Sequence, residues 1–209
     1  MIPTEFKPRT FADLIGPAHK VGVILDAKIR RIKAAKPTAS KLLFYGEPGT
    51  GKSSLARLAT EALAGHDYSI ERVSGVKTNV ELVNGWLRTL GTASLFGDWQ
   101  IKLIEEMDRV TPAAQDLLLD YLDKLPHGCA VIGTSNSQLE GLQARFQTRF
   151  QTWQVDAPST EEIAEFLRSK WPELSTQHAS MIAVGSGGNV RAALLDAESQ
   201  LDVQWALAA

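Results

Sequence analysis

Residues 46–53 read Gly-Glu-Pro-Gly-Thr-Gly-Lys-Ser, and this stretch decides the fold. Gly46, the four residues Glu47, Pro48, Gly49 and Thr50, and then Gly51, Lys52 and Ser53 match the spacing of a phosphate-binding loop in full. Glycines let successive backbone N–H groups curl around phosphate oxygens with no side chain in the way. The helix that follows, beginning at Ser53 and Ser54, adds partial positive charge at its N-terminus. In such a loop the lysine reaches the β- and γ-phosphates and the serine hydroxyl ligates Mg²⁺, which are the roles expected of Lys52 and Ser53. The flanks agree: residues 42–45 are an apolar strand and residues 53–64 carry a helical pattern. The full motif in that setting outweighs the plainer reading of a glycine-rich strand-to-helix turn. No Asn-Lys-x-Asp follows, so adenine is the default base, with ATP and Mg²⁺ as the expected ligands.

Outward from the loop, β-prone segments at 41–45, 68–74, 100–105, 130–135 and 152–155 alternate with helical ones at 53–64, 79–90 and 112–124. That alternation predicts an α/β fold, a five-stranded parallel sheet sandwiched by helices. The helix at Pro112 starts well. Thr111 can cap it, and proline fits the first turn because its missing N–H has no intrahelical partner there. Leu117, Leu118, Tyr121, Leu122 and Leu125 form one apolar stripe. Beyond Pro158 the pattern is helical only. Ser159-Thr-Glu-Glu162 has capping-box spacing, a second helix runs from about Ser175 to Val184, and a third starts near Asn189 with Leu194, Leu195 and Leu201. The expected division is a core over 1–157 and a three-helix lid over 158–209.

Composition sets the outer limits. The chain has 209 residues, 44% hydrophobic and 22% charged, which excludes disordered, collagenous and low-complexity classes. No apolar run exceeds the five residues Trp205 to Ala209, so no membrane span is expected. The opening residues lack the apolar stretch of a secretory signal, and a cytoplasmic location is the expectation. A single cysteine, Cys129, excludes an internal disulfide and a multi-cysteine zinc site. Residues 1–40 carry eight Lys/Arg against three Asp/Glu, whereas the whole chain is at −2. The excess gathers at Lys28, Arg30, Arg31, Lys33 and Lys36 on one helical stretch, read either as a solvated helix face or as a contact for phosphate backbones or an acidic partner.

The remaining motifs resemble the AAA+ ATPases, and within them the clamp-loader branch of replication factor C subunits, over nearly the whole chain. Residues 6–16, ending in Ile15 and Gly16, are similar to the segment that packs on adenine in that family. Ile101-Lys-Leu-Ile-Glu105-Glu106-Met-Asp108 resembles Walker B. By position, Glu105 replaces the aspartate associated with Mg²⁺, and Glu106 falls on the residue that activates the attacking water. The extra methylene of Glu105 moves its carboxylate by on the order of 1 Å, a displacement that can cost about 10²-fold in rate. Residues 109–126 are similar to the clamp-loader helix after Walker B, and residues 130–136, ending in Asn136, resemble the sensor 1 strand. Residues 142–150 resemble the Ser-Arg-Cys region that lends an arginine finger to a neighbouring subunit, with Arg149 in the better register and Arg145 second. Gly188-Asn189-Val190-Arg191-Ala192 resembles sensor 2, which would bring Arg191 to the γ-phosphate from the lid.

The resemblance implies a ring or filament of AAA+ subunits that hydrolyses ATP at its interfaces and acts with DNA and a replication or repair partner. Two other readings stand beside it: an ATP-gated scaffold with little turnover, motivated by Glu105, and a DNA-assembled regulator of the helicase-loader or transposition type. The four histidines have no metal spacing, and the five tryptophans are too dispersed for a base-stacking platform.

Overall fold

The computed structural model describes residues 6–35, 38–91, 99–136 and 138–208. Five strands, β1 (Ser40–Tyr45), β2 (Ile70–Ser74), β3 (Gln100–Glu105), β4 (Cys129–Ser135) and β5 (Gln151–Gln154), form one sheet in the order β2-β3-β4-β1-β5. All four pairings are parallel. The α/β expectation holds. Parallel strands need helical crossovers on both faces, which explains why β1 and β4 read as continuous apolar runs.

Helices α1 (Gly16–Ala34) and α2 (Lys52–Ala64) cover one face. There Leu25, Ile29, Leu55 and Leu63 pack with Leu42, Phe44, Ile101 and Ile132. Helices α3 (Val80–Thr89), α4 (Pro112–Asp123) and the single turn α5 (Ala144–Gln147) cover the other. There Val83, Trp86, Leu118, Leu122 and Phe146 meet Leu43, Ile104 and Val131. The alternation of Leu42, Leu43 and Phe44 between faces is the period-2 pattern of a strand. Thr111 caps α4 as expected, accepting the Ala114 N–H at 3.4 Å.

The last three helices, α6 (Thr160–Lys170), α7 (Thr176–Gly185) and α8 (Val190–Ala208), enclose their own apolar cluster around Ile163, Leu167, Leu174, Ala179 and Leu194. The capping box at Ser159 and Glu162 is present in both directions.

Differences from expectation are local. The second strand begins at Ile70, because residues 67–69 close a 3₁₀ turn in which the Ser69 N–H donates to the His66 carbonyl. Tyr68 is left exposed by that turn. In α8, Leu194 is buried, whereas Leu195 faces outward. Three of the α1 cations are engaged within the chain: Lys28 with Gln151, Arg30 with Asp26 and Lys33 with the Ala62 carbonyl. Lys36 lies outside the described residues. Among the described residues, no helix is long and apolar enough to cross a membrane.

Candidate nucleotide site

A cavity of about 440 Å³ opens at the carboxyl ends of β1, β3 and β4. Crevices at that end of a parallel sheet are where ligands bind in such folds, because helix N-termini converge there. Residues 48–54 form one wall. Glu105, Glu106, Thr134 and Asn136 form the floor, and Arg191 of α8 faces them from the far side. Leu14, Ile15, Ala18, Phe166 and Leu194 make an apolar half. Strand order accounts for the floor. β4 lies between β1 and β3, so Asn136 sits between the loop after β1 and the carboxylates after β3.

Gly46, Gly49 and Gly51 have positive φ, as a loop curling around an anion requires. Lys52 is 4% exposed and its Nζ donates to the Glu47 carbonyl at 2.6 Å. Burial pushes its ammonium down to about 8; Glu47 and Asp108 act against that shift, and Arg191 adds to it. Gly49 is also where α8 meets the loop. The Val190 N–H donates to the Gly49 carbonyl at 3.1 Å. A β-carbon at Gly49 would lie 1.9 Å from Asn189 Oδ1. Asn189 in turn caps α8, accepting the Ala192 N–H at 3.1 Å.

Glu106 adopts a left-handed backbone conformation, φ 56° and ψ 54°, rare outside glycine and asparagine. Two neighbours hold it there. Its N–H donates to Thr134 Oγ1 at 3.1 Å. Its carbonyl packs so closely on Gly75 that a β-carbon there would approach to 1.9 Å. Strain of this kind persists only where the surroundings over-determine it, and it gathers at functional sites. The Glu106 carboxylate accepts from Arg109 at 3.0 Å. The backbone of Asn136 is fixed in its turn, its N–H donating to Asp108 Oδ1 at 3.1 Å.

Three residues expected at the nucleotide are not among those that line the cavity. Gly46 abuts the Val155 carbonyl, Glu47 offers its own carbonyl to Lys52 and Thr50, and Gly16 opens α1 against Pro158 and Glu162. Arg149 and Arg145 lie away from this cavity, on the α4–α5 side of the sheet. Arg149 pairs with Asp123 and Arg145 with Asp116 at 2.5 Å.

Sequence reasoning passed over Thr134, Gly75 and Asp108, which hold Glu106 and Asn136. It also passed over Gln115, whose buried amide donates to the Val110 and Gly141 carbonyls and accepts the Gln143 N–H. A lone glutamine on the buried face of α4 was the available signal.

The residues suit a nucleoside triphosphate with Mg²⁺. Ser53 and Glu105 offer the hard oxygen donors that ion prefers. Among the described residues, no group of three His, Cys, Asp or Glu side chains could hold a metal alone. A Mg²⁺ ion held by these two side chains would draw its other oxygens from phosphate and water.

Residues 42–155 match the model of the ATPase family associated with various cellular activities (AAA), more than half of the chain. Replication-associated recombination protein A of Bacillus subtilis is 26% identical over 203 residues, 91% of this chain and 45% of that protein. The probable replication factor C subunit 5 of Dictyostelium discoideum is 27% identical, over 75% of this chain and 46% of that one. Among solved structures, the Thermotoga maritima RuvB Holliday junction branch migration motor superposes with a TM-score of 0.75 at 20% identity, covering 98% of this chain and 68% of that one. The chain spans about half the length of the two curated relatives.

Proposed function

The chain belongs to the AAA family of ATPases, and from that premise we propose that it binds ATP with Mg²⁺ and hydrolyses it at contacts between protomers, in the service of DNA replication or recombination. One observation carries the reading. The phosphate loop, two carboxylates, Asn136 and the lid residue Arg191 converge on one cavity, whereas Arg149 sits on a different face of the same chain. A pocket that Arg149 of its own chain does not reach, and a surface that presents that arginine, fit copies arranged head to tail.

Each residue then has a task. The loop N–H groups and Lys52 grip the phosphate tail, and the apolar half takes the base. When bound, the metal neutralises phosphate charge. Glu106 accepts a proton from water that Asn136 orients, and it must be ionised to do so. Arg149 of a neighbouring copy meets the charge that develops on the γ-phosphate, a contribution of about 10³–10⁵ in rate where it has been measured. Arg191 reports the same phosphate to the lid, residues 158–209, so that lid angle follows nucleotide state.

Within the DNA role we favour the clamp-loader branch, on the stretch 109–126 and the sensor motifs. Recombination relatives of similar identity make a branch-migration or recombination role the second reading. The test is steady-state hydrolysis with and without primed DNA, in wild type and Glu106→Gln, together with the mass of any assembly formed with an ATP analogue. The proposal expects DNA-stimulated turnover that Glu106→Gln abolishes and a multimer that requires nucleotide. Equal rates in the two proteins would remove the enzyme; a monomer under every condition would remove the interface.

A further inference from the structure

Arg149 is not a free side chain in the single protomer. Its Nε and Nη2 donate in parallel to the two carboxylate oxygens of Asp123, each at 3.1 Å. Its Nη1 donates to the Arg145 carbonyl at 3.2 Å and to Thr148 Oγ1 at 3.3 Å. All three guanidinium nitrogens are thus occupied within the chain, in the two-pronged geometry that gives arginine–carboxylate pairs their strength.

The place of Asp123 adds weight. It is the last residue of α4, where the helix dipole disfavours an acid. Asp120 in the same turn has Lys124 beside it at 2.8 Å. Helix stability therefore gives no reason for an aspartate at 123; the guanidinium it holds does. The hydrogen bond from Arg149 keeps the Asp123 carboxyl below the usual carboxylate range, and the positive charge of Lys41 on β1 acts in the same direction. Lys41 would stay near Asp123 after the guanidinium left, so the carboxylate would keep a counter-charge.

We propose that Asp123 is a positioning residue that holds Arg149 back in the free protomer, so that a neighbour's loaded pocket must win the guanidinium from a carboxylate before using it. This rests on the reading of Arg149 as acting in trans. The exchange depends on charge. A triphosphate presents the added charge of a γ-phosphate to the neighbour's guanidinium and can displace one carboxylate, whereas an empty pocket, or one holding diphosphate and so lacking that group, leaves Arg149 where it is. The contact between copies thereby discriminates between nucleotide states before chemistry begins. Arg145, joined to Asp116 by one Nη and to Gln143 by its Nε, lacks this two-pronged hold.

The experiment measures hydrolysis per protomer against protomer concentration in wild type, Asp123→Asn, Asp123→Glu, Arg149→Ala and the double variant Asp123→Asn with Arg149→Ala. Removing an exposed carboxylate partner is expected to raise the rate at sub-saturating protein about two- to fivefold. Asp123→Glu, which keeps the charge, should stay near wild type, and the double variant should match Arg149→Ala alone. A rate for Asp123→Asn at or below wild type, with Arg149→Ala inactive, overturns the restraint and leaves the trans role standing. An active Arg149→Ala overturns the trans role itself. Should Asp123→Asn fold poorly, the wild-type chain decides: the Arg149 Nε–H resonance should exchange slowly with water in the free protein, and fast exchange there sinks the proposal.

Discussion

Lys52 supplies the sharpest prediction. Its ammonium is buried against its own loop, and that burial brings it down to about 8 from an ordinary 10.5. A triphosphate beside it restores the charge, so binding above that point must take up a proton. With about 8 for the free protein, roughly nine-tenths of chains carry the charge at pH 7, half at pH 8 and a tenth at pH 9. If the bound value returns to the ordinary range, apparent affinity for Mg²⁺ with a non-hydrolysable ATP analogue falls about tenfold from pH 7 to pH 9. The sign is fixed: affinity is greatest below pH 8 and declines as the amine loses its proton. Titration calorimetry in buffers of different ionisation enthalpy should show uptake of about half a proton per site at pH 8. Lys52→Arg, which stays charged across the range, should flatten the pH profile whatever its absolute affinity. A constant dissociation constant between pH 7 and 9, with no proton uptake, would refute the account.

Other outcomes follow from the same site. Glu105→Asp should raise kcat, by up to about 10²-fold if the longer side chain is what limits turnover; an unchanged or lower rate contradicts that cause. Mixing Lys52→Ala chains with Arg149→Ala chains should restore part of the hydrolysis each lacks, because mixed interfaces pair an intact pocket with an intact arginine. No recovery at any ratio, where mixed assemblies are seen, counts against delivery in trans. Gly75→Ala should lower thermal stability by about 1–3 kcal/mol and depress kcat more than ATP affinity, since its β-carbon would collide with the Glu106 carbonyl. Thermal melts and initial rates check both parts.

Much of this was legible in the order of residues. The strands that end at the cavity, β1, β3 and β4, are rich in apolar residues, and the structure moves their ends by no more than a residue from the expected ones. The phosphate loop was legible because its chemistry demands fixed residue types at fixed spacing. The shape of the cavity floor was not. Glu106 is held by a threonine 28 positions away and by a glycine from another strand's end, contacts that only the β2-β3-β4 order creates. Nor does the sequence show that Arg149 is held by Asp123, 26 residues earlier. Each contact joins residues far apart in the chain, where no periodic pattern constrains the partner.

The bond between Val190 and Gly49 has a mechanical consequence. It ties the root of a 19-residue helix to the wall of the phosphate cavity. Such a helix is about 28 Å long, so a pivot of about 5° at its root would swing its far end by roughly 2.5 Å. Leverage of this sort runs in both directions. Whatever pulls on the tail of α8 would deform the cradle by the same linkage through which the cradle, on filling, would steer the tail.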